Sequence, residues 1–138
     1  MNERESPWRR VAIGWLPAAA YMGLIWTLSS MPIALPLGSI PFKDKGVHVV
    51  EYGVLAALYA YAIYRTWPLQ SWLRTLLFAA LLTFVWGYLD ELHQAFVPGR
   101  NSDAMDLLAD SIGALAGSAG FIAFARLRRG FHRSGAQG

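Results

Sequence analysis

The chain has 138 residues, enough for one domain, and no cysteine, so disulfides and thiolate chemistry are excluded. It is 55% hydrophobic with a mean hydropathy of +0.33, and charged residues make up 15%, well below the roughly 25% usual in soluble domains. The net charge of +3 and pI near 9.5 do not point to nucleic acid, because the basic residues flank apolar runs and form no continuous polar stripe. The expectation is an all-α, four-helix transmembrane bundle in a single domain, residues 1–138.

The first apolar run, residues 11–30, follows Arg9 and Arg10 and is longer than the roughly 7–15 residues of a signal-peptide core. It reads as a retained helix, with Pro17 kinking it or lying near its cytoplasmic end. Pro32, Pro36, Gly38 and Pro41 mark an irregular loop. The second, third and fourth spans are read at residues 47–64, 73–89 and 105–124, and residues 125–138 as a basic cytoplasmic tail. The second and third are short for a crossing of roughly 20 residues, which puts their polar ends in the interfacial layer.

Charge bias gives the orientation. With the N-terminus inside, Arg4, Arg9, Arg10, Arg65, Arg74, Arg126, Arg128, Arg129 and Arg133 all face the cytoplasm, and only Lys43, Lys45 and Arg100 face outward. Trp8, Trp67 and Trp72 read as inner-interface anchors, whereas Trp15, Trp26 and Trp86 fall within the spans. Acidic residues run the other way: Asp44, Glu51, Asp90, Glu91, Asp103, Asp106 and Asp110 belong to the outer half. Insertion rules do not require that, since acidic residues contribute little to topology. Ionisable groups at membrane depth are expensive and mark functional sites.

Each polar residue also has a plainer reading. His48, Glu51 and Tyr52 share a helix face by their spacing. Glu51 then needs a partner such as Lys43, Lys45, Arg100 or a bound cation, and a structural ion pair between loop and helix is the alternative. Tyr52 reads equally as an interfacial aromatic. Asp90, Glu91 and Gln94 close the third span, where negative charge opposes the helix dipole; the alternative is an ordinary polar helix end. His93 points away from that group in most registers. Pro98-Gly99-Arg100-Asn101-Ser102 reads as a tight turn that aims the Arg100 guanidinium at carboxylates or a phosphate. Asp103, Asp106 and Asp110 form an acidic stripe; Asp103 and Asp106 suit N-cap and N3 positions, whereas Asp110 lies too deep for a cap. Gly113 and Gly117 form a GxxxG that holds the fourth span close, so that Asp106 and Asp110 meet the end of the third.

These residues resemble the VanZ-like family of small bacterial membrane proteins. The likeness runs over residues 26–120: Trp26 and Ser29; then Asp44, Lys45, His48 and Tyr52; then Asp90, Glu91, Gln94, Phe96, Pro98, Gly99 and Arg100; then Asp103, Asp106, Asp110 and Gly113. The stretch from Asp90 to Arg100 is its most specific part. Many members of the family carry asparagine where this chain has Asp110. The resemblance implies an outer-face role in the bacterial cell envelope and a link to low-level teicoplanin resistance; the charge bias and the four spans place both termini on the cytoplasmic side of the cytoplasmic membrane.

Two functions follow as expectations. In the first, Lys43, Lys45 and Arg100 hold an anionic headgroup or lipid-linked phosphate, while Asp44, Tyr52, Gln94 and the carboxylates orient those bases or bind a divalent cation such as Mg2+. Membrane lipids and a lipid-linked cell-wall intermediate or glycopeptide are the partners, nucleic acid is not one, and homo-oligomers are compatible. In the second, the chain is a membrane hydrolase or transferase acting on a lipid-linked phosphate, with Glu51, Asp90 and Glu91 as acid and base and His48 as a proton shuttle. A transporter would need polar groups through the inner half, where the sequence is sparse in them.

Overall fold

A computed structural model of the chain describes residues 6–31, 43–67, 71–100 and 103–134. Four helices follow one another: α1 (Pro7–Ser29), α2 (Lys43–Thr66), α3 (Trp72–Gln94) and α4 (Ala104–Ser134). Each holds a stretch long and apolar enough to cross a membrane. At 1.5 Å per residue, the 23 residues of α3 span roughly 34 Å, slightly more than a hydrocarbon core of about 30 Å.

The helices outrun the apolar runs at their polar ends. Helix α2 begins at Lys43, so Lys45 stands on its first turn and not on a preceding loop, and His48 lies in its early turns as the span at 47–64 predicts. Helix α3 carries Asp90, Glu91 and Gln94 inside it, and α4 continues through the basic segment to Ser134. Helix α1 runs unbroken through Pro17, with Pro7 at its start. The side chains of Lys43 and Asp44, and residues Asn101 and Ser102, lie outside the described residues.

Helix α2 is the centre of the bundle: it packs on the other three, whereas α1 and α4 do not meet. The inward face of α3 shows the logic. Its buried positions are Thr75, Ala79, Thr83, Gly87, Asp90, Glu91 and Gln94, while Leu77, Leu81, Phe84 and Val85 face outward. Where lipid surrounds the bundle, apolar burial drives helices together weakly, and close approach of small residues does more. The buried hydroxyls of Thr83 and Ser118 are satisfied within their own helices: Thr83 Oγ1 donates to Ala79 O at 2.8 Å and Ser118 Oγ to Ala114 O at 2.7 Å.

The GxxxG of α4 works against α2 and not against α3. A Cβ built on Gly113 would fall 2.4 Å from Val49 O, and one on Gly117 would fall 1.9 Å from Gly53 O. Backbone meets backbone there. This approach brings the first turns of α4 beside Lys45 and His48 of α2.

At the opposite end the arginines sit over aromatic rings. The Arg126 guanidinium lies 5.4 Å from the Trp72 ring centre, and that of Arg129 lies 5.0 Å from both Trp72 and Tyr64. Arg129 Nε also donates to Tyr64 Oη at 3.0 Å, and Trp15 Nε1 donates to Thr66 Oγ1 at 2.9 Å. The basic and acidic groups thus occupy opposite ends of one bundle.

Candidate functional site

The polar end divides into two hydrogen-bonded groups and one carboxylate outside both. The first group centres on Asp90, which is 2% exposed. Its Oδ1 accepts Ser29 Oγ–H from α1 at 2.6 Å; its Oδ2 accepts Tyr52 Oη–H from α2 at 3.2 Å and Gln94 Nε2–H at 2.9 Å. Three helices meet on one carboxylate; without it Ser29 Oγ could still turn to Trp26 O at 3.1 Å, whereas a buried donor left without any acceptor costs about 1–3 kcal/mol. The i, i+4 spacing of Asp90 and Gln94 makes one of these bonds local; the other two depend on tertiary packing.

Beside it, His93 stacks on Trp26 of α1, with ring centres 4.0 Å apart. Ser30 Oγ spends its proton on Trp26 O at 2.6 Å, so His93 Nε2 donates to Ser30 Oγ at 2.9 Å. Arg100 also serves α1: its Nε donates to Met31 O at 3.1 Å and its Nη2 to Leu28 O at 3.0 Å. A guanidinium on carbonyls at the end of a helix complements the dipole, and here it adds a second donor to Leu28 O, which also accepts the Met31 N–H at 3.2 Å. The turn that aims it is built from Val97, Pro98, Gly99 and Arg100. Arg100 N donates to Val97 O at 3.1 Å, and Gly99 takes φ 83°, a conformation glycine adopts without strain. The guanidinium therefore meets carbonyls, where the sequence pointed it at carboxylates or phosphate.

The second group lies between α2, α3 and α4. Asp103 caps α4, with Met105 N–H donating to its Oδ1 at 2.8 Å. The reciprocal capping role passes to another helix: Glu91 Oε2 of α3 accepts the Asp103 N–H at 3.0 Å. Asp106 is thereby left to Lys45, whose Nζ donates to Asp103 Oδ2 at 2.6 Å and also to Asp106 Oδ1. The Lys45 ammonium, and secondly the Met105 N–H, hold the Asp103 carboxyl below its ordinary value.

One turn deeper, His48 Nδ1 donates to Asp110 Oδ1 at 2.8 Å, and His48 Nε2 lies 4.0 Å from Asp106 Oδ2. The His48 ring stacks parallel to that of Tyr52 at 6.1 Å. Asp110 is fully buried, and its Oδ2 accepts no hydrogen bond. A Cβ on Gly87 would lie 2.9 Å from that oxygen, so the glycine keeps room for the carboxylate against α3. His48, Glu91 and Asp110 each present one donor atom within 4.8 Å of the others, the one such group of three among the described residues.

Glu51 belongs to neither group. It is half-buried and makes no hydrogen bond or ion pair among the described residues, yet it feels the charges of His48, Asp90, Asp110 and Arg100. The structure thus brings Lys45, His48, Glu91, Asp103, Asp106 and Asp110 together and places Asp90, Gln94 and Tyr52 in the adjoining knot. Three contributors were not among the candidates. Ser29 belongs to the family pattern and could have been read as a donor, whereas Gly53 and Gly87 are single glycines with no motif around them.

The sequence model of the VanZ/LLP1 family matches residues 10–126, and the chain belongs to that family. No curated protein and no solved structure matches it.

Proposed function

From the premise of VanZ/LLP1 membership, we propose that this multi-pass membrane protein turns its polar end out of a bacterial cytoplasmic membrane and binds a positively charged group of an envelope ligand there. The orientation rests on Arg9, Arg10, Arg65, Arg74, Arg126, Arg128 and Arg129 gathering at the other end. One observation carries the binding reading. Among the described side chains, the polar end brings six carboxylates, Glu51, Asp90, Glu91, Asp103, Asp106 and Asp110, against the permanent positive charges of Lys45 and Arg100. Both bases already donate internally, Lys45 to two aspartates and Arg100 to α1 carbonyls.

An anionic ligand held directly by Lys45 and Arg100 would have to displace those bonds. A cationic group meets unspent acceptors at Asp110 and Glu51. Glycopeptides and peptide-bearing lipid-linked cell-wall intermediates both carry ammonium groups, so both are ligands of this class. A phosphate-bearing lipid would reach the site through a bridging cation.

The test uses the full chain in lipid nanodiscs with excess chelator. Spermidine should raise the unfolding midpoint, and Glu51→Gln should reduce that gain. Inorganic phosphate should leave the midpoint unchanged. Stabilisation by phosphate and not by spermidine would reverse the reading.

The enzymatic alternative has its own support in the His48–Asp110 pair, an imidazole on a buried carboxylate at 2.8 Å beside Glu91, which is an acid–base arrangement. It requires turnover of a lipid-linked phosphate that disappears with His48→Gln while the fold persists.

A further inference from the structure

We propose that His48, Glu91 and Asp110 form a mononuclear site for a borderline transition-metal dication, Zn2+ or Mn2+, with one ligand from each of α2, α3 and α4. The inference deepens the cation-binding reading and rests on it.

The geometry comes first. The three donor atoms lie within 4.8 Å of one another. Ligands about 2.0–2.2 Å from a tetrahedral ion are about 3.3–3.6 Å apart, so the widest of the three pairs must close by at most about 1.5 Å.

Burial gives an independent reason. Asp110 is 0% exposed and Glu91 6% exposed. A carboxylate taken out of water as fully as Asp110 carries a desolvation cost that one imidazole proton offsets poorly. Asp110 Oδ2 is buried with no donor among the described residues, whereas Asp90, a carboxylate of similar burial, accepts three. The same residue type in one bundle end is thus satisfied in one place and left open in the other.

The surroundings hold the ligands in position, as outer-shell groups do in metal sites. Glu91 Oε2 is fixed by the Asp103 N–H at 3.0 Å. The His48 ring lies parallel to Tyr52. Gly87 allows the Asp110 carboxylate to stand against α3.

Donor type selects the ion. One imidazole nitrogen with two carboxylates suits Zn2+ or Mn2+, whereas Mg2+ and Ca2+ prefer oxygen alone. This narrows the sequence-based expectation of Mg2+. Three protein ligands leave at least one position open, which an oxygen of an envelope ligand can fill.

The experiment titrates chelator-stripped full-length protein in nanodiscs with Mn2+, following free Mn2+ by electron paramagnetic resonance, and with Zn2+ by competition against a chromogenic chelator. One ion per chain at micromolar concentration is expected, with Mg2+ competing only at hundredfold excess. Glu91→Gln and Asp110→Asn should each weaken binding at least tenfold, whereas His93→Gln, on the α1 side, should not. X-ray absorption at the zinc edge of the unaltered protein should show a single imidazole among oxygen scatterers, a readout independent of any variant. Millimolar binding by the unaltered protein, or an absorption spectrum without imidazole, would overturn the site. Spermidine protection in chelator together with failed metal titration would remove this inference and leave the cation-binding reading standing.

Discussion

Replacing Gly117 by alanine tests whether the polar end depends on backbone contact between α2 and α4. The new Cβ would lie 1.9 Å from Gly53 O, and ordinary contact begins near 3.4 Å, so the helices must part by about 1.5 Å along that line. The obstacle is main chain and cannot rotate away. Overpacking of this kind costs about 1–3 kcal/mol and sometimes more. Parting the helices also stretches the His48–Asp110 bond beyond its present 2.8 Å, and a charged hydrogen bond contributes about 1.5–3 kcal/mol. The expected loss is therefore about 3–5 kcal/mol, with the second component following from the first. Equilibrium unfolding in mixed detergent micelles measures it, with Gly120→Ala as the internal control, because a Cβ there meets nothing within 4 Å. If Gly117→Ala were as stable as Gly120→Ala, the close approach of α2 and α4 would be wrong, and with it the placement of Asp110 beside His48.

Asp90→Asn should destabilise by about 2–4 kcal/mol, because the new amide N–H₂ would face donors from Ser29, Tyr52 or Gln94; unfolding titration reads it, and a neutral outcome would deny that Asp90 joins three helices. Arg100→Gln should cost about 1 kcal/mol and loosen the end of α1, seen as faster labelling of a cysteine placed at position 30, since Met31 O loses the guanidinium donor and Leu28 O keeps only the Met31 N–H. Stability should also fall at acid pH through Asp103. Its native value is depressed, so its contribution is complete above the ordinary carboxylate value and is lost as the pH falls through the lower native one. Lys45→Met should remove that component of the acid limb, and an unchanged acid limb would contradict the pairing.

Much of this arrangement was legible because two signals are local. Hydropathy places four spans, and charge separates the bundle into a basic and an acidic end. The stripe Asp103, Asp106, Asp110 and the pair Asp90, Gln94 follow from helical spacing, which sequence carries directly. Helix ends were less legible. Apolar runs stop where lipid contact stops, but a helix continues through polar residues once these are capped or paired, as α2 does through Lys45. The target of Arg100 was hidden for a different reason. Its turn could be recognised, but the direction in which a turn aims a side chain depends on where α1 ends, a tertiary fact. Gly53 and Gly87 were hidden because a single glycine in an apolar run carries no spacing signal, and only the facing helix shows what its missing Cβ permits.

The carboxylates of the polar end differ in what their oxygens have left to offer, and this separates assembly from binding. Asp90 has spent both oxygens on donors from α1, α2 and its own helix. Asp103 and Asp106 are joined to Lys45. Those three hold helices together, and their loss should appear as instability whatever ligand is present. Asp110 keeps a buried oxygen with no donor, and Glu51 stands half-buried outside both groups. A protein gains nothing in stability from an unsatisfied buried acceptor, so the open oxygen of Asp110 argues for a positive partner that none of the described residues supplies. The four helices thus use most of their acidic groups to fix the distance between α2, α3 and α4, and that distance sets how closely Asp110 and Glu91 face His48. Ligand affinity should therefore fall when α2 and α4 are forced apart at Gly117, even though that residue lies two helical turns from Asp110 and touches no ligand.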